Sequence, residues 1–319
     1  MLSYIIRRFG QSIIVILIVT VFVFFGMRLL PGDPIYMIYN PNQLQNMTRE
    51  ELEQIRHEAG LDRSLVVQYF DWLGGVFRGE LGNSILTKRP VTEDLITRIP
   101  ITAYIGVIAF IISTLVGIPA GIISAIRRGT WLDTLVTTLA NLGITVPIFW
   151  LGIMLMWLFA VKLHWLPTSD MVWPPWQNWA LNIKQLIMPV FCMAIFSIAG
   201  NARQARSSML EVLRQDYIRT AWSKGLTERV VIIGHALKNS LIPIVTLAGM
   251  GISGIIGGMV LIEQVFNIPG MGRLAVDSMF KHDYTYVQGI TLVMTAVVVL
   301  SNLLVDLTYG WLDPRIRYN

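Results

Sequence analysis

The sequence predicts an all-α membrane protein with six transmembrane helices, and two observations carry that reading. Apolar residues make up 54% of the 319 positions and charged residues only 14%, against roughly 25% charged in an ordinary soluble domain. Stretches of 18 or more residues without Asp, Glu, Lys or Arg occur six times, at 9–27, 99–126, 134–161, 185–202, 239–262 and 284–305. About 20 apolar residues rising 1.5 Å each cross a hydrocarbon core of roughly 30 Å. Each window therefore holds one spanning helix.

The first window is too long for a signal peptide, opens after Arg7 and Arg8, and has no small-residue cleavage site before Pro31. It is expected to stay as a helix. Residues 1–30 are thus the N-terminus and first span, 31–97 a small extracytoplasmic helical subdomain, and 98–319 the transmembrane core with a charged loop at 203–238.

Six spans place both termini on one side, and charge decides which. The segments on the terminal side (1–8, 127–133, 203–238 and 306–319) carry 13 Lys or Arg in 65 positions, and those on the other side 12 in 115. Without the long 28–98 segment, only Lys162, Lys184, Arg273 and Lys281 remain outside. The positive-inside bias makes both termini cytoplasmic in the cell membrane. The net charge of +5 follows from the same bias and calls for no nucleic acid. Trp165, Trp173, Trp176 and Trp179, around Pro174 and Pro175, suit the headgroup level of the outer face.

Within 31–97, Thr48 and Glu51 have capping-box spacing, Leu52, Ile55 and Ala59 share a helical face, and Gly60 suits the stop. A second helix is expected over 64–77, with Val66, Tyr69, Phe70, Leu73 and Phe77 at helical spacing, packing on the first helix or the membrane rim.

Several chemistries are excluded. The single Cys192 offers neither an intrachain disulfide nor a thiolate zinc site, and the four histidines lack any paired ligand spacing. No metal or other cofactor is expected in this chain. A GMGISG run at 249–254 matches a dinucleotide fingerprint in letters, but it lies inside an uncharged window without a preceding strand. Gly249, Gly251, Gly254, Gly257 and Gly258 are read instead as helix packing or pore lining. No GxxxxGKS or GxxxxGKT occurs, so nucleotide energy has to come from a partner. Arg28, Glu263 and Asp306 stand at span ends, which argues against proton or sodium coupling.

The loop remains. Residues 216–224, DYIRTAWSK, are expected to form a short helix from Asp216 with Tyr217, Ala221 and Lys224 along one side, stopped at Gly225. A second helix is expected from Glu228 to Lys238, with Pro243 a turn into the next span. Two short helices tied closely to two spans suit the transmission of a push from a docked partner better than a flexible linker does.

RTAWSKG at 219–225 resembles the EAAxxxG loop of importer-type ABC transporter permeases, and DYIRTAWSKGL…HALKNSLIP is similar to its dipeptide, oligopeptide and nickel branch. LLPGDP at 29–34, RGELGNS at 78–84, RSSMLEVLRQDYIRTA at 206–221, FNIPGMG at 266–272, DYTYVQG at 283–289 and NLLVDLTYGWLDPRIRY at 302–318 extend the resemblance over nearly the whole chain. Arg219 and Thr220 replace the Glu and Ala of the general pattern and Lys238 its Pro, while Pro243 follows the peptide branch. The resemblance implies a permease subunit of a binding-protein-dependent importer that performs no chemistry itself; di- or oligopeptides are the favoured substrate, and the sequence does not choose among peptides, nickel chelates and oligosaccharides. Its implied partners are a second homologous permease, two ATPase subunits carrying ATP and magnesium, an extracytoplasmic solute-binding protein and membrane lipids. By the same resemblance, 216–226 is the coupling helix and Tyr217, Ile218, Ala221, Lys224, Gly225 and Leu226 are its docking residues. The competing class is a secondary transporter or channel acting without ATP.

Overall fold

A computed structural model describes residues 2–29, 47–58, 62–84, 86–168, 174 and 176–312. The regular secondary structure of the described residues is helical, with one isolated bridge between Asn83 and Pro90. In chain order the helices are α1 (Leu2–Leu29), α2 (Arg49–Glu58), α3 (Leu65–Phe77), α4 (Val91–Ile126), α5 (Trp131–Thr145), α6 (Ile148–Leu155), α7 (Trp179–Leu213) and α8 (Asp216–Ser223). Then come the single turn α9 (Glu228–Val230), α10 (Lys238–Val265), α11 (Met271–Phe280) and α12 (Tyr284–Leu312). Of the sequence expectations, those at 31–46, Ala59, Gly60, Trp173, Pro175 and 313–319 lie outside the described residues.

Among the described residues, α1, α4, α7 and α12 are long and apolar enough to cross a membrane. The 134–161 window is not one straight span. It breaks between Thr145 and Ile148 with a bend of 97°, so α5 and α6, the latter prolonged by a π-helical run at Met156–Lys162, make at most a fifth, broken span. Pro147 supplies no N–H to the preceding turn and forces Val146 into an extended conformation (φ −73°, ψ 123°). The 239–262 window is covered by α10, a single helix of 28 residues.

The chain divides into two compact units. The first comprises Met1–Phe9, Thr102–Ile268 and Leu300–Asn319. Its interior helix is α7, half of whose apolar window is buried, against 11% for α1. Small residues let its neighbours approach. A Cβ on Gly117 of α4 would come within 2.8 Å of the Ile198 carbonyl, and one on Gly121 would overlap that of Ala202. On the α5 side, a Cβ on Gly143 would stand 3.0 Å from Ala199. α7 also packs along α6 and α10.

The second unit comprises Gly10–Ile101 and Pro269–Val299. Its core gathers Leu81, Val91, Leu95, Met271, Leu274, Ala275, Tyr286, Ile290 and Leu292. The Thr48–Glu51 capping box forms as expected: the Thr48 N–H donates to Glu51 Oε2 (2.8 Å) and the Glu51 N–H to Thr48 Oγ1 (3.3 Å). Helix α3 meets the first helix through part of its expected face, Tyr69, and through Trp72 beside it. Tyr69 is buried and Trp72 half-buried, both against the ring of Phe24 of α1, while Val66, Phe70 and Phe77 are exposed. Aromatic rings bury more area than Val or Leu and settle in edge-to-face groups, so the Tyr69–Trp72 pair sets the inward side. Two polar ties close this unit: Ser84 Oγ donates to Asp283 Oδ2 and the Tyr286 hydroxyl to Asp94 Oδ2, both at 2.5 Å.

Candidate functional site

The segment after α7 is built by backbone chemistry. Gln215 is extended (φ −70°, ψ 148°), α8 occupies Asp216–Ser223, and Gly225 lies in the left-handed region at φ +75°, where only a residue without Cβ sits without cost. The helix is anchored by two side chains. Ile218 and Ala221 are buried in a cluster with Ala125, Met209, Val231 and Ala236 of this chain, so they face inward. Tyr217, Arg219, Thr220, Trp222, Ser223 and Lys224 are exposed and Leu226 is half-buried. Tyr217, Ala221 and Lys224 therefore do not share one exposed side. The Tyr217 hydroxyl accepts from Asn239 Nδ2 at 3.0 Å, which ties α8 to the start of α10.

The second helix expected at Glu228–Lys238 forms, but it is continuous with the next span. α9 passes into a π-helical run, Val231–Leu237, and then directly into α10. Val231 and Ala236 are fully buried in the cluster that seats Ile218. A π turn closes i→i+5 rather than i→i+4 and so takes an extra residue, and here it fits both apolar positions to one cluster without breaking the helix.

A second arrangement braces α7 above this segment. Asp133 of α5, nearly buried, accepts from Arg206 Nε and Nη2, from Ser124 Oγ at 2.6 Å and from the Gly129 N–H at 3.0 Å. The turn between α4 and α5 is thereby fastened to α7. None of Asp133, Ser124 and Arg206 was singled out from the sequence, because each carries a common residue type and the three come from different segments.

The candidate glycines divide into two kinds. A Cβ on Gly249 would overlap the Val305 side chain and one on Gly258 would meet Met193 at 3.3 Å, so these two serve helix packing. Gly251, Gly254 and Gly257 face open space within this chain. Gly254, Gly257 and Gly258 border a cavity of about 310 Å³ whose other walls include Pro147 at the α5–α6 bend and Phe196 of α7. Beyond it Glu263 is fully buried, with Thr102 Oγ1 donating to its carboxylate at 2.6 Å.

Residues 117–318 match the family described as the binding-protein-dependent transport system inner membrane component, and residues 1–106 match its N-terminal model. The chain belongs to this family. Transport-system membrane components similar to it over their full lengths include a putative peptide transport system permease protein of Brucella abortus (strain 2308), 42% identical with all of both chains covered. Others are the oligopeptide transport system permease protein AppB of Bacillus subtilis (strain 168), 38% identical with all of both chains covered, and the dipeptide transport system permease protein DppB of Escherichia coli (strain K12), 37% identical over all of this chain and 99% of that one. In fold it is similar to a chain of the inward-facing MetNI methionine ABC transporter (TM-score 0.56, 14% identity, 69% of this chain and 96% of that one). It is also similar to a chain of an amino acid ABC transporter crystallised with histidines (TM-score 0.52, 14% identity, 69% of this chain and 94% of that one). The protein is thus a multi-pass membrane permease component of a binding-protein-dependent transport system, which displaces the reading of a secondary transporter or channel acting alone.

Proposed function

We propose that this permease is one half of the translocation path of an ATP-driven importer for di- or oligopeptides. The observation that carries the substrate class is full-length similarity to three permeases whose names specify peptide, oligopeptide or dipeptide transport. Around it we place a second homologous permease, two ATPase subunits that bind ATP and magnesium, and an extracytoplasmic solute-binding protein. The chain crosses the membrane six times, counting the broken α5–α6 pair and α10, with both termini cytoplasmic and 31–97 outside. The Lys and Arg distribution supports that orientation.

The 203–238 loop couples the permease to the ATPase. Tyr217 and Lys224, with Leu226 at the edge, make the docking side, while Ile218 and Ala221 hold the helix in its seat and Gly225 turns the chain. A rigid connection supports this role, since α8 is buried on one side and α10 follows through a continuous helix. Gly251, Gly254 and Gly257 line the path or meet the second permease. Reconstitution of the full set of subunits in liposomes tests the reading. ATP-dependent uptake of labelled peptide, stimulated by the binding protein, is expected; peptide uptake by this chain alone without ATP overturns it.

A further inference from the structure

α7 outlasts its own apolar segment. The uncharged window ends at Ala202, yet the helix continues to Leu213, another 11 residues or about 16 Å at 1.5 Å each. Beside this extension lies a cavity of about 560 Å³. Val136 and Ala140 of α5 form an apolar wall, and Arg203, Arg206 and Arg214 project from the α7 side together with Glu211. Arg206 spends Nε and Nη2 on Asp133. The side chains of Arg203 and Arg214 are exposed and make no hydrogen bond or ion pair among the described residues. The wall stays net cationic even after Glu211 is counted.

Exposed charge alone needs no ligand, but depth and chemistry here coincide. The first arginine falls where the uncharged window stops, the level at which lipid phosphates lie, with apolar surface beside it. A guanidinium grips a phosphate through two parallel N–H···O bonds, which an ammonium cannot do. Glu211 disfavours a second negative charge and so selects a singly charged phosphodiester over dianionic free phosphate. We propose that this cavity is a phosphate site, occupied by the phosphodiester of an acidic phospholipid with Arg203, at the end of the uncharged window, as its ligand and Arg214, further along α7, adding to the positive field of the cavity.

Native mass spectrometry of the purified full chain tests this, with phosphatidylglycerol and phosphatidylcholine of identical acyl chains as probes. The wild type should retain one phosphatidylglycerol where phosphatidylcholine is lost. The double variant Arg203→Gln/Arg214→Gln should retain it about tenfold less, the scale of one charge-assisted hydrogen bond. A variant with equal charge loss outside the cavity, Arg229→Gln/Lys238→Gln, should behave as wild type. Arg203→Lys/Arg214→Lys, which keeps charge but not the fork, should fall between, and it carries the test if the Gln pair fails to fold. Displacement of the lipid by millimolar inorganic phosphate would assign the site to free phosphate as well; no displacement assigns it to lipid. Equal retention in wild type and the cavity variant, equal loss in both Gln variants, or loss of permease pairing with lipid retention intact overturns the proposal.

Discussion

Arg206 grips both carboxylate oxygens of Asp133, Nε to Oδ1 at 2.7 Å and Nη2 to Oδ2 at 3.0 Å, across 73 positions of sequence. The pair is nearly closed to solvent on the Asp133 side and half-open on the Arg206 side. Removing either partner leaves the other poorly compensated, so Asp133→Ala or Arg206→Ala should each cost roughly 2–4 kcal/mol, somewhat below a fully buried pair. Chemical unfolding of the permease in detergent measures this. The double variant should lose less than the sum of the singles, by about 1–3 kcal/mol of coupling. Strict additivity would mean that the two groups merely lie side by side.

The glycines separate experimentally. Gly121→Ala drives a methyl into the Ala202 carbonyl, a backbone atom that cannot step aside, and should destabilise by about 1–3 kcal/mol as an overpacked contact does. Gly251→Ala and Gly254→Ala meet nothing in this chain and should leave its melting temperature unchanged while altering pairing or transport of the assembled importer. A large loss of stability in the isolated chain from either would show that the open space is occupied.

The coupling segment now divides into seat and surface. Ala221→Trp should unseat α8 from within, because the side chain is buried against this chain's own cluster, and Gly225→Val should strain the turn by roughly 1–3 kcal/mol. Tyr217→Ala and Lys224→Ala lie on the exposed side and should spare folding while weakening ATP-driven uptake. Uptake and ATP hydrolysis measured together on reconstituted complexes decide the point. Wild-type coupling in the Tyr217 and Lys224 variants would remove this surface from the interface.

Orientation is open to cysteine labelling. Cys192 is buried, so an impermeant thiol reagent should report only introduced cysteines. Position 90 should label in intact cells, and 128 and 224 only after permeabilisation. The reverse pattern would invert the molecule.

The sequence revealed what depends on one segment at a time. Uncharged windows located the helices because hydrocarbon tolerates no unpaired charge, and Thr48 with Glu51 announced a cap because both hydrogen bonds are local. Pro147 was equally visible, yet a window defined by missing charge takes no account of backbone geometry, and the 97° bend went unread. The inward side of α3 was legible at Tyr69 and missed at Trp72, because hydrophobic spacing alone did not weigh the indole. Inside and outside were hardest in α8, where Ala221 looks the same whether it meets a foreign groove or its own core. The Gly117-xxx-Gly121 pair in α4 has the same spacing as Gly254 and Gly258 and makes the closer approach, to α7; only the three-dimensional partner reveals it.

The π-helical run at Val231–Leu237 makes this stretch forgiving of length. A helix with α spacing throughout has no slack: one residue cut from the middle of α7 would swing everything beyond it by about 100°, a single step at 3.6 residues per turn. The wide turn carries a surplus residue. Deleting one there would tighten i→i+5 to i→i+4 and leave both flanking pieces pointing as before, with α8 in its seat and Gly254 at its cavity. Permeases shortened by one residue between Val231 and Leu237 should therefore still assemble and transport, whereas the same excision in α7 should abolish folding.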